Sequence, residues 1–299
     1  MKIKAPINLC LYTPESLIDT LCFIDDLYHY DEDSIQIDFS KTENVTAAAA
    51  LAIFAHVNRI QYCKQNAGYF QFSCKESPVY EKVFIKAQFL KCLLAGTKEK
   101  LEKLRQEDCN FQSDFELIES RKYLLSHLDK IKRELIKEHP SQHIEDFFKH
   151  LRSAISEILI NTDNHAYLEI EDEKQWWFAF WHNRKENTIL FIIYDLGIGI
   201  VESYKSHATN QSKRIKKQQP LDIFKEALQA GNSRFTDDGR GYGLSNLLKI
   251  PTTVEGIALL IHSGLCSVYR DAKKEIFTQH PSPLPGTLIE WSFDLPKED

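Results

Sequence analysis

EILINTDNHA (residues 157–166) decides how this chain folds and what it can bind. Ile144, Phe147, Phe148, Leu151, Ile155, Ile158 and Leu159 recur at three- and four-residue steps, the spacing of a helix with one buried face. Glu157, Asn161 and His165 recur every fourth residue, so they lie along a second, polar stripe of that helix. A carboxylate one turn before an amide, inside so apolar a segment, calls for a reason, because burying polar groups unpaired is costly. Two later stretches supply it: DLGIG (195–199) and GRGYG (239–243).

Asp195 ends a nearly continuous apolar strand, LFIIYD (190–195), and is followed by Gly197 and Gly199. A carboxylate at the mouth of a buried strand, beside glycines that let a ligand approach the backbone, points to recognition of a ring bearing an exocyclic amine. In DDGRGYGLSNLL (237–248) three glycines alternate with Arg240 and Tyr242, and a helix then begins. Closely spaced backbone N–H groups and a helix N-terminus make phosphate the natural ligand there. The stretch lacks the lysine–serine pair of a P-loop and does not follow the early strand of a dinucleotide-binding unit. The Asn161 amide oxygen can ligate Mg²⁺, a hard cation often shared with phosphates. Glu157 is placed to orient or deprotonate a water near a terminal phosphate.

In this order and spacing the three stretches resemble the GHKL ATPase superfamily, whose members include gyrase, the heat-shock chaperone ATPase, sensor histidine kinases and MutL. The first motif, Glu-x-x-x-Asn with a later His-Ala, matches Glu157, Asn161, His165 and Ala166. The second, Asp-x-Gly-x-Gly, matches Asp195, Gly197 and Gly199. The third, Gly-x-Gly-x-Gly-Leu, matches Gly239, Gly241, Gly243 and Leu244. A late Gly-Thr opening the final strand matches Gly286 and Thr287. The resemblance spans residues 140–296 and implies a Bergerat-fold α/β sandwich that binds ATP and Mg²⁺. It gives Asn161 the metal and Asp195 the adenine amine, with Gly197, Gly199 and Thr287 at the adenine end. It gives His165 a place in the nucleotide site and the phosphates to residues 239–244, with Arg240 and Tyr242 among them. Residues 200–238, with the basic run Lys213, Arg214, Lys216 and Lys217, become the nucleotide lid. Glu157 matches the hydrolytic base of the gyrase-like members. One departure is Asn164, where many kinases carry a basic residue toward phosphate; Arg240 or the lid cations are candidates to replace it.

Ahead of this region, strand and helix alternate. Residues 7–12, 34–40 and 69–74 read as strands, and 14–30, 44–65 and 78–95 as helices, so residues 1–100 form a small α/β domain. IDFSKTENVTAAAALAIF (37–54) resembles the STAS fold of anti-sigma-factor antagonists: Asp38 and Ser40 match its strand end. Ala47 and Ala48 stand where the family's phosphorylatable serine should be, and Ala49 replaces its glycine. A STAS-like domain of this kind is not switched by phosphorylation at that place. Residues 101–140 read as a charged helical connector ending at Pro140, and 141–299 as the ATP-binding domain. Within it, 175–182, 187–197, 257–262, 265–270 and 287–294 read as strands, 221–230 as a helix inside the long 200–238 loop, and 243 onward as another helix.

Composition limits the rest. A net charge of −6 argues against bulk electrostatic capture of nucleic acid. No apolar run approaches the length of a membrane span. The seven cysteines form no C-x-x-C pair, so reduced, mostly buried thiols in a cytoplasmic protein are the expectation. Three uses of a nucleotide follow from the resemblance. They are an ATP-hydrolysing switch acting on a protein partner or on self-association through the first domain, a serine or histidine protein kinase, and a non-catalytic ATP-binding module. None of His127, His139 or His143 sits in the His-Glu-x-x-x-Pro context of a sensor kinase.

Overall fold

A computed structural model describes residues 1–30, 32–115, 117–162, 174–183, 186–206, 218–229 and 243–295, and leaves aside the side chains of residues 117–120, 161, 243, 245 and 246. The architecture is mixed α/β with several sheets. The chain divides into two compact units, Met1–Asp114 with Trp177–Trp181, and Phe115–Trp176 with His182–Asp299.

The first unit opens on β1 (Lys2–Lys4), β2 (Asn8–Leu9) and α1 (Pro14–Asp26), continues through β3 (Ile35–Asp38), β4 (Asn44–Val45), α2 (Ala47–Cys63) and β5 (Phe70–Ser73), and ends in α3 (Phe89–Leu93), α4 (Lys98–Gln106) and β6 (Phe111–Asp114). β3 lies between β1 and β5 in a parallel sheet, and β2 pairs in parallel with β4. α2 is buried on every side from Ala47 to Val57, which is why its sequence is apolar all round rather than striped. Asn58 in its interior is bonded through both ends of its amide: Nδ2 donates to the Ala95 carbonyl (3.0 Å), and Trp177 Nε1 donates to Oδ1 (3.1 Å). Ala48 and Ala49, near the start of α2, are wholly enclosed.

Several elements differ from the sequence reading. The 44–65 helix starts at Ala47, because Thr46 takes the N-cap, accepting from Ala49 N (3.4 Å), and Asn44–Val45 pair with β2 instead. The 78–95 helix is two pieces, a π-helical turn at Tyr80–Lys86 and α3, separated by Gln88 in the left-handed region (φ 63°). The 101–140 stretch contains β6, whose four residues are all buried, between α4 and the next helix.

The second unit holds α5 (Leu117–Glu138), α6 (Gln142–Asn161), the ends of β7 (Trp176–Asn183), β8 (Thr188–Asp195), α7 (Gly199–Ser206), α8 (Pro220–Ala227), α9 (Gly243–Thr253), β9 (Ile257–Arg270) and β10 (Glu275–Asp294). α8 answers to the helix read at 221–230, whereas α7, which begins at Gly199 and runs into the stretch read as lid loop, is too short at two turns to leave a periodic signature. β9 is one strand where two were expected, passing through Gly264 at φ +57°, and β10 answers it with two register shifts, between Gln279 and Leu284 and between Leu284 and Thr287. β10 runs antiparallel between β8 and β9.

α6 begins at Ser141, whose hydroxyl accepts from His143 N (3.2 Å), and buries Ile144, Phe147, Phe148, Leu151, Ile155, Ile158 and Leu159, the stripe read from sequence. Phe147 stacks on Phe293 of β10, with ring centroids 4.6 Å apart and planes at 6°. Side chains alternate along a strand, so the sheet face turned to α6 carries Phe293, Trp291, Ile289 and Thr287. Cross-strand register then puts Asp195 of β8 and Ser263 of β9, the partners of Thr287, on that same face. α5 covers another side of α6, fixed by the buried Leu124, Leu128 and Leu135 and by the Arg152–Asp129 ion pair. Among the described residues no helix is long and apolar enough to cross a membrane.

Candidate functional site

The site grows from one carboxylate. Asp195 ends β8, where the chain leaves the sheet, and it is 7% exposed. Burial pushes its pKa from 3.8 to about 7, against smaller downward pulls from the backbone N–H of Gly197, the backbone N–H of Thr287 and the hydroxyl of Thr162. The Gly197 contact is 2.8 Å to Oδ1 and closes a tight Asx turn. An ionised carboxylate offers roughly four acceptor positions, and the Gly197 bond fills one of them.

Two glycines are there because nothing else fits. Gly286 has φ +77°, and a Cβ on it would lie 1.8 Å from the Asp195 carbonyl oxygen. Gly199 has φ +78°, and its Cβ would lie 2.8 Å from Ser263 Oγ. Both belong to the quoted motifs, so the motif spacing has a steric cause: backbones of β8, β10 and the start of α7 close on each other at Asp195.

Ser263 fastens this junction. Its buried hydroxyl accepts from Ile200 N (2.9 Å), lies 2.9 Å from the Gly286 carbonyl oxygen and lies 3.0 Å from Thr287 Oγ1. The first turn of α7 is thereby tied to β9 and β10.

The residues chosen from sequence fall as follows. Glu157 is half-buried on α6, one turn before Asn161, which is the last residue of that helix. The Asn161 side chain, His165, and Gly239, Arg240, Gly241 and Tyr242 lie outside the described residues. So do Ala166, Asn164 and the basic run at 213–217. Gly243 opens α9 and Leu244 is half-buried in its first turn; α9 packs on α6 and on β9. Asp195, Gly197, Gly199 and Thr287 come together. Thr162 at the end of α6 helps lower the Asp195 pKa, so the residue next to Asn161 acts on the second motif's carboxylate.

Sequence reading missed Thr162 and Ser263. Thr162 directly follows Asn161 in NTD, and a hydroxyl beside the motif amide was the available signal. Ser263 sits in HSG between two apolar runs, which invited a turn rather than a polar residue on an inward face. Among the described residues no group of three or more His, Cys, Asp or Glu side chains could hold a metal ion. The seven cysteines are free thiols, five of them buried, with Cys22 and Cys63 exposed.

The arrangement can do one thing chemically without further parts. It can offer a buried acid as the acceptor for an N–H donor, at a junction where glycines let the backbones close together. Set against known protein families, curated proteins and solved structures, the chain matches none of them.

Proposed function

We propose that the second unit is a GHKL-type nucleotide switch that binds Mg-ATP and hydrolyses it slowly. The observation that carries this reading is the convergence on Asp195: Thr287, adjacent to Gly286, is its cross-strand partner, and Thr162, adjacent to Asn161, lies close enough to lower its pKa. Three of the four motif stretches thus meet at one buried acid.

In this reading Asp195 accepts a hydrogen bond from the adenine amine, and Gly197, Gly199 and Thr287 line the ring. Asn161 is the residue that would hold Mg²⁺. Residues 239–244 carry the phosphates at the start of α9, where backbone N–H groups and the helix dipole favour negative charge. Bound ATP would supply a terminal phosphoryl group open to attack by water. Glu157 orients that water and takes its proton. Residues 200–238 act as the lid, and the first unit, a STAS-like domain in this reading, carries the change to a protein partner or to a second copy of the chain.

Calorimetric titration with Mg-ATP and Mg-ADP tests the binding, and a phosphate-release assay tests the turnover. Glu157→Ala should keep binding and lower release by about 100-fold, the usual contribution of a general base. Transfer of labelled γ-phosphate to protein would replace the hydrolytic reading with a kinase one. Tight binding with neither release nor transfer would leave an ATP-dependent interaction module. No heat of binding with either nucleotide would remove the proposal altogether.

A further inference from the structure

Ser263 has one proton to give and two lone pairs to fill. Its surroundings decide how they are used. The Ile200 N–H can only donate, and it points at Ser263 Oγ from 2.9 Å. The Gly286 carbonyl oxygen can only accept, and it lies 2.9 Å away. The third neighbour, Thr287 Oγ1 at 3.0 Å, can do either. If Ser263 gave its proton to Thr287, the buried Gly286 carbonyl would lose this bond, the costlier arrangement. The proton therefore goes to Gly286, and Thr287 donates its own proton to the second lone pair of Ser263.

This order has a consequence at the ligand. With its proton turned inward, Thr287 Oγ1 has only lone pairs left, on the same sheet face as the Asp195 carboxylate, which is an acceptor alone once it has lost its proton. We infer that Ser263 is a specificity-determining positioning residue. By absorbing the Thr287 proton it makes this end of the pocket acceptor-only, so the site takes a ring bearing an amine and rejects one bearing a carbonyl at that place. The inference rests on the nucleotide reading above and adds to it a residue outside every motif.

The test compares Mg-ATP with Mg-ITP, which carries a carbonyl oxygen where ATP carries the amine. Binding is measured at pH 8, where Asp195 is ionised. Wild-type protein should prefer ATP by about 100-fold or more, because a wrong-way hydrogen-bonding group is rejected strongly. In Ser263→Ala the Thr287 hydroxyl is free to turn and donate, and the preference should shrink about tenfold. A preference left unchanged in a folded Ser263→Ala overturns the inference and leaves the nucleotide reading intact. Wild-type protein that binds neither nucleotide overturns both. Should Ser263→Ala fail to fold, Thr287→Val and Thr287→Ser decide. The valine variant should lose ATP affinity while ITP affinity rises, and the serine variant should keep the wild-type preference. An equal loss of both nucleotides in Thr287→Val overturns the inference.

Discussion

Thr287 stands directly opposite Asp195 in the β8–β10 pair, and its backbone N–H helps pull the Asp195 pKa down. The strand pairing itself thus holds a buried acid in place at the sheet's end. Despite that donor, burial keeps the Asp195 pKa at about 7, far above 3.8. A native acid with a raised pKa holds a proton that the unfolded chain releases, so its contribution to stability is greatest below about pH 4 and declines as pH rises to 7. The whole change is on the order of 4 kcal/mol. Thermal melts of wild type and Asp195→Asn at pH 4.5 and pH 8 should show the amide variant gaining on wild type at the higher pH. Affinity for an amine-bearing nucleotide should move the other way, rising about tenfold between pH 6 and 8 as the carboxylate ionises. Equal melting differences at both pH values would contradict the burial argument.

Gly286 and Gly264 separate two effects that glycine usually combines. Both have positive φ, +77° and +57°, but a Cβ on Gly286 meets the Asp195 carbonyl at 1.8 Å whereas one on Gly264 meets nothing within 4 Å. Gly264→Ala should cost only about 1–2 kcal/mol, the strain of a left-handed alanine. Gly286→Ala must also push β10 off β8, and should cost more than about 4 kcal/mol or prevent folding. Chemical denaturation of the two variants checks the order. A Gly286→Ala protein as stable as Gly264→Ala would mean that the β8–β10 junction is looser than described.

Sequence alone fixes α6 well, because its apolar stripe and Ser141 cap are local signals with a local cause. It locates Asp195 and Gly199 too, since the sharp exit from buried β8 is marked by glycines in the sequence itself; Gly286, inside β10, is reached only through the resemblance. It does not find Ser263, whose importance depends on Thr287 and Gly286 lying 24 and 23 residues away. It does not separate α2 from β4, because Asn44–Val45 become a strand only through pairing with β2, a tertiary event. Nor does it see that α2 is enclosed on every side; a run of alanines reads equally well as a surface helix of high propensity.

His262 carries a pH effect of opposite sign. It is 1% exposed, and its ring lies 4.5 Å from that of His280, whose Nε2 is 2.8 Å from Ser267 Oγ. Burial first, and the neighbouring His280 second, lower its pKa from 6.5 to about 3. A base with a depressed native pKa stabilises the fold above its unfolded value, and that contribution is lost as pH falls from 6.5 toward 3. His262→Phe keeps a ring against His280 and removes the titration. Its stability should drop less than that of wild type between pH 7 and 5. Parallel pH profiles for the two proteins would show that His262 is not the group responsible.

Thr162 is the residue through which α6 reaches the acid, and its substitution separates fastening from filling. Thr162→Val keeps the volume and removes the hydroxyl that helps lower the Asp195 pKa. A buried carboxylate deprived of that help is less stable in its charged form. Two results should follow. The ionised protein loses stability relative to the protonated one, and the pH at which nucleotide affinity rises moves upward by a fraction of a unit, since Thr162 is the smallest of the contributions. Thr162→Ser, which restores the donor but lacks the methyl, should return the midpoint to its wild-type position even where packing remains slightly weaker. A purely structural role for this side chain predicts the reverse: serine and valine would change stability without moving the pH midpoint. Binding titrations of the three proteins across pH 5.5–8.5 distinguish these outcomes, because the midpoint reports on Asp195 while the melting temperature reports on the packing around it.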